Sequence, residues 1–463
     1  MESTSSKLDL FGSLSREKQP SRVDIIFKKR YIHSAMMALC LVVAYLNRIN
    51  LSVAIVSMTD KKSSNENFYE FDWNEREKGI LLSSFFWGYV ITQIPAGQIA
   101  QFISPKLLLG ITNLISTILA ALTPAASYFG GWQLLTGIRV AEGVCQGFIP
   151  SLMFKMASNW CPPSERSRLL GFSLSGAIAA PMALPIFGSL AHSAGGWPAI
   201  FYFTAILNLL WTINWAWIGA DSPTTHKTIS SEEKIYVETS LLNCKDFGRK
   251  MKTPWVKIFT SIPFWSLLLT QMCEGFGRNL LLNELPSFID GILKVGIAAN
   301  GFLSGCPYYI SWLFVFPTCW LADYLIKSGI LSKSAVRKLW TTLSMSASCL
   351  LILFIGFCVD NSILAIILLV VAFILHAFIF SSFLITPLDM TPNFAGVLHS
   401  IINTAESLAG LFAPIVVGLV VDNPNSKDQW WAVFIIMTCL SVIGNVIFVI
   451  FGSTDVQEWN SPE

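Results

Sequence analysis

Charged residues are scarce in this chain. Asp, Glu, Lys and Arg make up 13% of its 463 residues, about half of the share found in a soluble protein. Hydrophobic residues reach 53%, and apolar runs of about 20 residues, the length that crosses a bilayer as a helix, recur from end to end. The composition therefore excludes an ordinary soluble domain. The net charge of +2 is too small to indicate nucleic acid as a partner.

Catalytic and metal-binding motifs are also missing. The sequence has no G-x-S-x-G, no H-E-x-x-H, no Walker loop and no two histidines close enough to share a metal. Its ten cysteines lie mostly inside apolar runs and form no C-x-x-C pair, so they predict neither a metal site nor a disulfide framework. We therefore predict neither an enzyme nor an ATP-driven pump. We expect no cofactor, unless a sodium ion or a proton serves as a coupling ion.

Twelve hydrophobic spans can be placed along the chain. Their predicted bounds are 32–58, 79–99, 107–128, 133–157, 168–192, 198–219, 264–289, 299–322, 339–358, 362–385, 395–421 and 430–452. The only long polar segment falls after the sixth span. We therefore predict an all-α membrane protein made of two pseudo-symmetric six-helix bundles. The predicted division is a tail over 1–31, a first bundle over 32–219, a linker over 220–263, a second bundle over 264–452 and a tail over 453–463.

Basic residues indicate the orientation. Clusters such as Lys28 to Arg30, Arg166 with Arg168, the linker, and Arg337 with Lys338 all fall on one side if the helices alternate. Basic loops are typical of the cytoplasmic side, so both termini are predicted to be cytoplasmic. The segments "PAGQIAQ" and "PTCWLAD" end the second and eighth spans in a similar way. Such internal duplication is typical of secondary transporters.

Ordered motifs along nearly the whole chain carry a family resemblance. They include "NRINLSVAIVSM", "FDWNEREKGILLSSFFWGYVITQIPAG", "GIRVAEGVCQG", "WCPPSERSRLLG" and "NTAESLAGLFAPIVVGLV". The chain resembles the major facilitator superfamily, and within it the anion and phosphate transporters that include sialin, the vesicular glutamate transporters and the type I sodium–phosphate cotransporters. The resemblance implies alternating access and transport of an organic or inorganic anion, driven by sodium, protons or membrane potential. We expect a monomer in the plasma membrane or in an endolysosomal or vesicle membrane.

The functional residues of that family carry over unevenly. Arg48 and Arg139 match arginines of its first and fourth helices, and Glu142 matches a fourth-helix glutamate. Gln146 falls where sialin-like members have a proton-coupling glutamate. Glu274 falls where the glutamate transporters have an arginine. These departures argue against glutamate as the solute and against the usual proton route.

Two arginines inside the spans are the main candidates for solute binding. A guanidinium at mid-membrane costs about 2.5–3.5 kcal/mol on insertion scales, and its planar fork fits a carboxylate or a phosphate. We predict that Arg48 and Arg139 bind the solute and that Asn47 assists. The alternative is that each arginine is paired with a neighbouring acid and only fixes helix packing.

A polar stripe follows Arg139 along the fourth span. Glu142 and Gln146 lie on the same helical face, and Gly143 and Gly147 would let a neighbouring helix approach closely. Glu142 either accepts a proton or forms an ion pair with Arg139. We predict a coupling or gating role for Glu142 and Gln146.

Further charges lie in the second half. Glu274 and Arg278 are spaced i,i+4, the favourable order for an ion pair, and we predict that they form a gate or a substituted coupling site. Glu406 either titrates in the central cavity or pairs with a basic residue of another helix. We predict that Asp323 helps to close the inward gate. Asp389, in contrast, is expected to cap a helix or to pair with a loop residue.

Two glycines beside Glu274, Gly275 and Gly277, are expected to loosen the seventh span, as broken helices do at transport sites. The sequence as a whole predicts a secondary active transporter of small anions, with phosphate or a carboxylate as cargo and the lipid bilayer as its surroundings. The alternative is a transporter-like receptor or scaffold that no longer transports.

Overall fold

The computed structural model describes residues 28–59, 68–242, 252–289, 292, 297–358, 361–421, 423 and 425–461, and their regular structure is entirely helical. The first-half helices are α1 (Lys29–Thr59), α2 (Glu75–Phe102), α3 (Pro105–Gln146), α4 (Ile149–Trp160), α5 (Arg166–Ala179), α6 (Leu184–His192) and α7 (Pro198–Ile218). Two short helices, α8 (Ser231–Leu242) and α9 (Trp255–Phe259), follow. The second-half helices are α10 (Ile262–Phe288), α11 (Ile297–Lys327), α12 (Lys333–Thr341), α13 (Ser348–Cys358), α14 (Ser362–His376), α15 (Thr386–Met390), α16 (Ala395–Val420) and α17 (Lys427–Phe451).

Membrane-spanning length is met by nine stretches of the described residues, and one of them, Pro105–Trp160, has 56 residues, enough for two crossings. These nine stretches therefore account for ten crossings. The eleventh is α10, which carries Glu274 and Arg278, and the twelfth is formed by α5 and α6 together, with a break between them. The predicted all-α membrane fold with twelve spanning helices is confirmed. The predicted domain boundaries stay a prediction, because the helices alone do not define them.

Local backbone chemistry explains where these helices bend. The sequence predicts separate third and fourth spans with a break at Gly130–Trp132, and the break is present, because α3 is helical on either side of Gly131 but not at Gly131 itself. Gly131 turns the chain there with a φ of +58°, a conformation that glycine adopts far more readily than other residues. In the fifth span the 3₁₀ turn Ala180–Ala183 separates α5 from α6. Pro181 and Pro185 remove backbone donors at this break.

Close glycine contacts join α2 to α3. A Cβ atom added at Gly143 would lie 2.0 Å from the carbonyl oxygen of Phe85, and one added at Gly88 would lie 2.1 Å from that of Val140. Only glycine fits at such distances, as the Gly143–Gly147 spacing predicts. This approach brings Phe85 and Tyr89 of α2 against the part of α3 that carries Arg139.

The two halves of the chain also meet backbone to backbone. A Cβ at Gly97 of α2 would lie 2.9 Å from Cα of Val397 in α16, and one at Gly396 would lie 2.7 Å from the carbonyl oxygen of Ser151 in α4. The helices therefore pack tightly across the centre of the protein, and α16 touches both α2 and α4.

We expect Gly143→Ala to destabilise the protein by about 1–3 kcal/mol, because the added methyl overpacks the contact with α2. Gly137→Ala is the matched control on the same helix, since a Cβ at Gly137 meets nothing within 4 Å. Thermal unfolding of the purified full chain in detergent measures both. Equal melting temperatures for the two variants would contradict the packing described here.

Candidate solute-binding site

Arg48 lies among aromatic rings at the middle of α1. Its guanidinium carbon is 4.5 Å from the ring centres of Tyr45 and Tyr89, 4.9 Å from that of Phe85 and 5.9 Å from that of Phe86. Cation–π attraction to these faces offsets part of the cost of burial. Within the described ranges no carboxylate pairs with Arg48, and its Nε atom has no hydrogen-bond partner. We call these five residues the aromatic arginine site.

Arg139 has a different environment. Its guanidinium donates to Oε2 of Glu142 at 2.7 Å and to the carbonyl oxygens of Asn47 and Arg48, both at 3.0 Å. The residue is only 2% exposed. Arg139 therefore matches the ion-pair alternative and is held one layer behind Arg48, where it fixes the backbone that carries Arg48.

Asn47 and Gln146 are also fully enclosed. Asn47 is 0% exposed and Gln146 2% exposed, and neither side-chain amide finds a partner among the described residues. The same holds for Oε1 of Glu142. Unpaired buried polar atoms call for a water or an ion as partner. The predicted solute contact of Asn47 thus stays a prediction.

A second charged group lies in the second half of the chain. Nε of Arg278 is 3.2 Å from Oε1 of Glu274, and the Arg278 guanidinium also contacts Oε1 of Glu406. Gln271 donates a hydrogen bond to Oε2 of Glu406. Nε2 of His376 lies 3.6 Å from Oε1 of Glu274. We call Glu274, Arg278, His376 and Glu406 the second-bundle cluster.

The i,i+4 pair expected between Glu274 and Arg278 is present, but the expected loosening of the helix is wrong. Helix α10 is continuous from Ile262 to Phe288. Instead, Gly275 makes room for the second carboxylate, because a Cβ there would lie 2.4 Å from Cγ of Glu406. The glycine thus serves contact between α10 and α16.

A hydrogen bond links the aromatic arginine site to the second half of the chain. The Tyr89 hydroxyl accepts this bond, at 3.0 Å, from Asn403 of α16. Glu406 of the second-bundle cluster lies three residues further along the same helix and contacts Arg278. The two sites are therefore connected through α16.

Ion pairs close one end of the bundle, which we call the basic end. Asp389 accepts hydrogen bonds from Arg166 at 2.8 Å and from Arg337 at 2.9 Å. Asp323 accepts bonds from the backbone N–H groups of Ser167 at 3.0 Å and Arg168 at 2.9 Å, where the dipole of α5 favours a negative charge. These contacts tie the first half to the second. Of the two alternatives expected for Asp389, pairing with a loop residue is the one observed, because Arg166 and Arg337 both precede predicted spans.

Glu165 extends the network at the basic end. It binds Arg30 at 2.6 Å and Arg168 at 2.5 Å, while Arg30 also reaches Glu233 of α8 at 3.2 Å. Burial disfavours the charged carboxylate, but the hydrogen bonds and charges of Arg30 and Arg168 outweigh it and hold the pKa of Glu165 below its usual value. The linker helix α8 is thereby fastened to the first half.

Sequence reasoning missed three polar residues. His376 and Gln271 belong to or border the second-bundle cluster, and Lys155 lies in α4 beside Gly396. Lys155 falls inside the predicted span 133–157. Because a charge inside the membrane is costly, its position alone could have marked it as a candidate functional residue. His376 gave a weaker signal, because its partner Glu274 is about one hundred positions away along the chain.

Two tightly packed groups of spanning helices, with charges of both signs enclosed between them, define a secondary membrane transporter. The chain belongs to the Major Facilitator Superfamily, whose family model matches residues 37–414. Its relatives are named as transporters, which favours a transporter over a receptor or scaffold and over an enzyme.

Three relatives show the extent of the similarity. A Drosophila melanogaster protein named "Putative inorganic phosphate cotransporter" is 34% identical, over 97% of this chain and 89% of that protein. Human sialin is 32% identical, over 90% of this chain and 88% of sialin. Human vesicular glutamate transporter 2 is 32% identical, over 94% of this chain and 76% of that protein.

Solved structures agree on the fold. A proton:xylose symporter superimposes with a TM-score of 0.67 at 15% identity, over 92% of this chain and 97% of that one. The E. coli fucose:proton symporter gives a TM-score of 0.62 at 14% identity, over 90% and 99% of the two chains. Sequence identities this low relate the architecture alone.

We expect Glu142→Gln to destabilise the protein by about 3–5 kcal/mol, because it leaves the buried Arg139 without its counter-charge. The measurement is thermal unfolding of the purified protein, with Glu232→Gln on the exposed face of α8 as control. If Glu142→Gln melts like the control, Arg139 is not held by this pair.

Proposed function

We propose that this protein is a secondary active transporter of small anions, phosphate or carboxylates, and that Arg48 is the principal ligand of the anion. One observation carries the proposal. Of the buried or half-buried arginines in the described residues, Arg48 alone is surrounded by rings instead of carboxylates. The arginines that pair with a carboxylate are Arg30, Arg139, Arg166, Arg168, Arg278 and Arg337.

The chemistry of the aromatic arginine site suits an anion. A ring face attracts the guanidinium but does not neutralise it, so the charge stays available to a solute. In a cavity of low dielectric this charge attracts an anion far more strongly than it does in water. The names of the phosphate cotransporter and the vesicular glutamate transporter support phosphate and small carboxylates as the class of cargo.

Alternating access fits the contacts at the basic end. We propose that this end is cytoplasmic, so that the conformation described here is closed to the cytoplasm and Arg48 is reached from the opposite side. Opening inward then requires the bonds of Asp389 with Arg166 and Arg337 to break, together with those of Asp323. Asp323 is thus a gating residue in this proposal.

Sodium, protons or the membrane potential drive the transport, and the protein works as a monomer in the plasma membrane or in an endolysosomal or vesicle membrane. The word "vesicular" in the names of several relatives supports an intracellular membrane. Within the first half, Glu142 acts through Arg139 on the position of Arg48. Gln146 lies one turn further along the same face of α3 and belongs to the same polar stripe.

We expect Arg48→Ala to abolish uptake of anions and Arg48→Lys to weaken it, because lysine keeps the charge but loses the planar fork. Purified protein in proteoliposomes is tested with labelled phosphate, glutamate and other small carboxylates under sodium, proton and voltage gradients. Arg76→Ala, at an exposed position of α2, is the matched control. Unchanged uptake in both Arg48 variants would contradict the assignment of the site. Absence of transport by the folded wild type would contradict the function itself.

The orientation predicts which segments antibodies reach. An epitope added after the last residue should be labelled only from the cytoplasm, because the C-terminal tail is predicted to lie on the same side as the basic loops, and basic loops favour the cytoplasmic side. An epitope inserted between α1 and α2 should be labelled only from the opposite side. Selectively permeabilised cells separate the two cases, and the reverse pattern would contradict the proposed orientation.

A further inference from the structure

The formal charges of the second-bundle cluster do not balance. Glu274 and Glu406 bring two negative charges, whereas Arg278 brings one positive charge. His376, at 3.6 Å from Glu274, completes the balance only when its imidazole carries a proton. Because an uncompensated charge is costly in a buried site, the cluster favours the uptake of one cation.

The surrounding helices do not supply that cation. The side chains that line the adjoining cavity and can ionise or form hydrogen bonds are Tyr308, Ser311, Ser344, Ser348, Cys349 and Ser441. Residues of these types are uncharged near neutral pH. On the other side, the first bundle contributes a cation of its own, Arg48, but it lies among the rings of Tyr45 and Tyr89. Among the described residues, the cationic side chains within ion-pair distance of Glu274 or Glu406 are Arg278 and His376. His376 is therefore the group in contact that can add the missing positive charge.

The geometry favours a proton over a metal ion. A hard metal cation needs several oxygen ligands at once, but Glu406 already uses one oxygen for Arg278 and the other for Gln271. A proton needs only the imidazole, the side chain that changes charge between about pH 5 and 8. The cavity beside it includes the buried Tyr308 hydroxyl, which has no partner in the described parts of the chain. The lining of this cavity is mainly apolar, but the Tyr308 hydroxyl and the hydroxyls of Ser311 and Ser344 can hold the water that delivers a proton.

We propose that the second-bundle cluster is the proton-binding site of this transporter, and that a proton on His376 loosens the bond between Glu274 and Arg278, so that Arg278, still in contact with Glu406, attracts the anion together with Arg48. The proton passes from water to Nε2 of the imidazole, and no other covalent bond changes. The imidazolium then shares the carboxylate of Glu274, which weakens the hold of that carboxylate on Arg278. Anion and proton therefore bind together. This inference rests on the proposed function.

The test measures the steady-state accumulation of labelled phosphate and glutamate in proteoliposomes of the full chain. Sodium is replaced by choline, the voltage is held at zero, and the outside is one pH unit more acidic. One coupled proton then gives the wild type about tenfold accumulation, since one pH unit corresponds to 1.36 kcal/mol. This ratio does not depend on how fast a variant works, and exchange of labelled for unlabelled anion shows that the protein is active.

We expect His376→Gln to lower the accumulation ratio from about ten to about one, because glutamine cannot take up the proton. Glu406→Gln should lower the accumulation ratio in the same way, because it removes the excess negative charge that the proton on His376 would balance. It therefore serves as the second variant if His376→Gln does not fold. His192→Gln, at an exposed position in the last turn of α6, is the matched control and should accumulate like the wild type.

Two results would overturn the inference while leaving the proposed function intact. One is wild-type accumulation by an active His376→Gln or Glu406→Gln variant. The other is wild-type protein that accumulates anion only when a sodium gradient is imposed. A wild type that exchanges neither phosphate nor glutamate is a different result, because it removes the proposed function for these anions and the inference with it.

Discussion

The cost of placing a guanidinium in a membrane interior without a counter-charge is the constraint on which this structure depends. The protein meets it in two ways. Most of its buried arginines are neutralised by carboxylates, as Arg139 is by Glu142 and Arg337 by Asp389. Arg48 is instead stabilised by ring faces that leave its charge in place. The first arrangement holds helices together, whereas the second leaves a charge available, as the proposed anion site requires.

Much of the fold follows from the sequence, because bilayer thickness fixes the length of apolar runs and the charged loops interrupt them. The spacing of Glu274 and Arg278 also predicts their ion pair, since residues four apart face each other on a helix. Gly143 could be identified in the same way as a site of close approach. These features depend on neighbours along one helix or on composition, and both are visible in a single chain.

The sequence alone says much less about which side chains meet across different helices. Arg48 and Arg139 have the same side chain and lie at similar depth in their predicted spans. In the sequence they differ in one respect: Arg139 has an acidic residue, Glu142, three positions later on the same helix, with which it can form an ion pair. The two arginine partners of Asp389 could not be named from the sequence, because they come from distant parts of the chain. His376 was missed because a lone histidine in an apolar run is usually a packing residue. Long-range pairing of this kind depends on how helices rotate against one another, which hydrophobic patterns leave open.

The two halves of the chain are therefore chemically unequal, although their architecture is repeated. Within the part of the chain that the structure describes, the first half contributes a guanidinium without a carboxylate partner, and the second half contributes a group with one more carboxylate than arginine. At Gln146 the chain has an amide that cannot titrate, whereas Glu406 and His376 place titratable groups across the cavity. A carrier needs its driving ion and its solute to act on the same helices. Because Tyr89 packs on Arg48 and is hydrogen-bonded to Asn403, about one turn before Glu406 on α16, the proposed change of charge in the second-bundle cluster acts on a helix that contacts the aromatic arginine site.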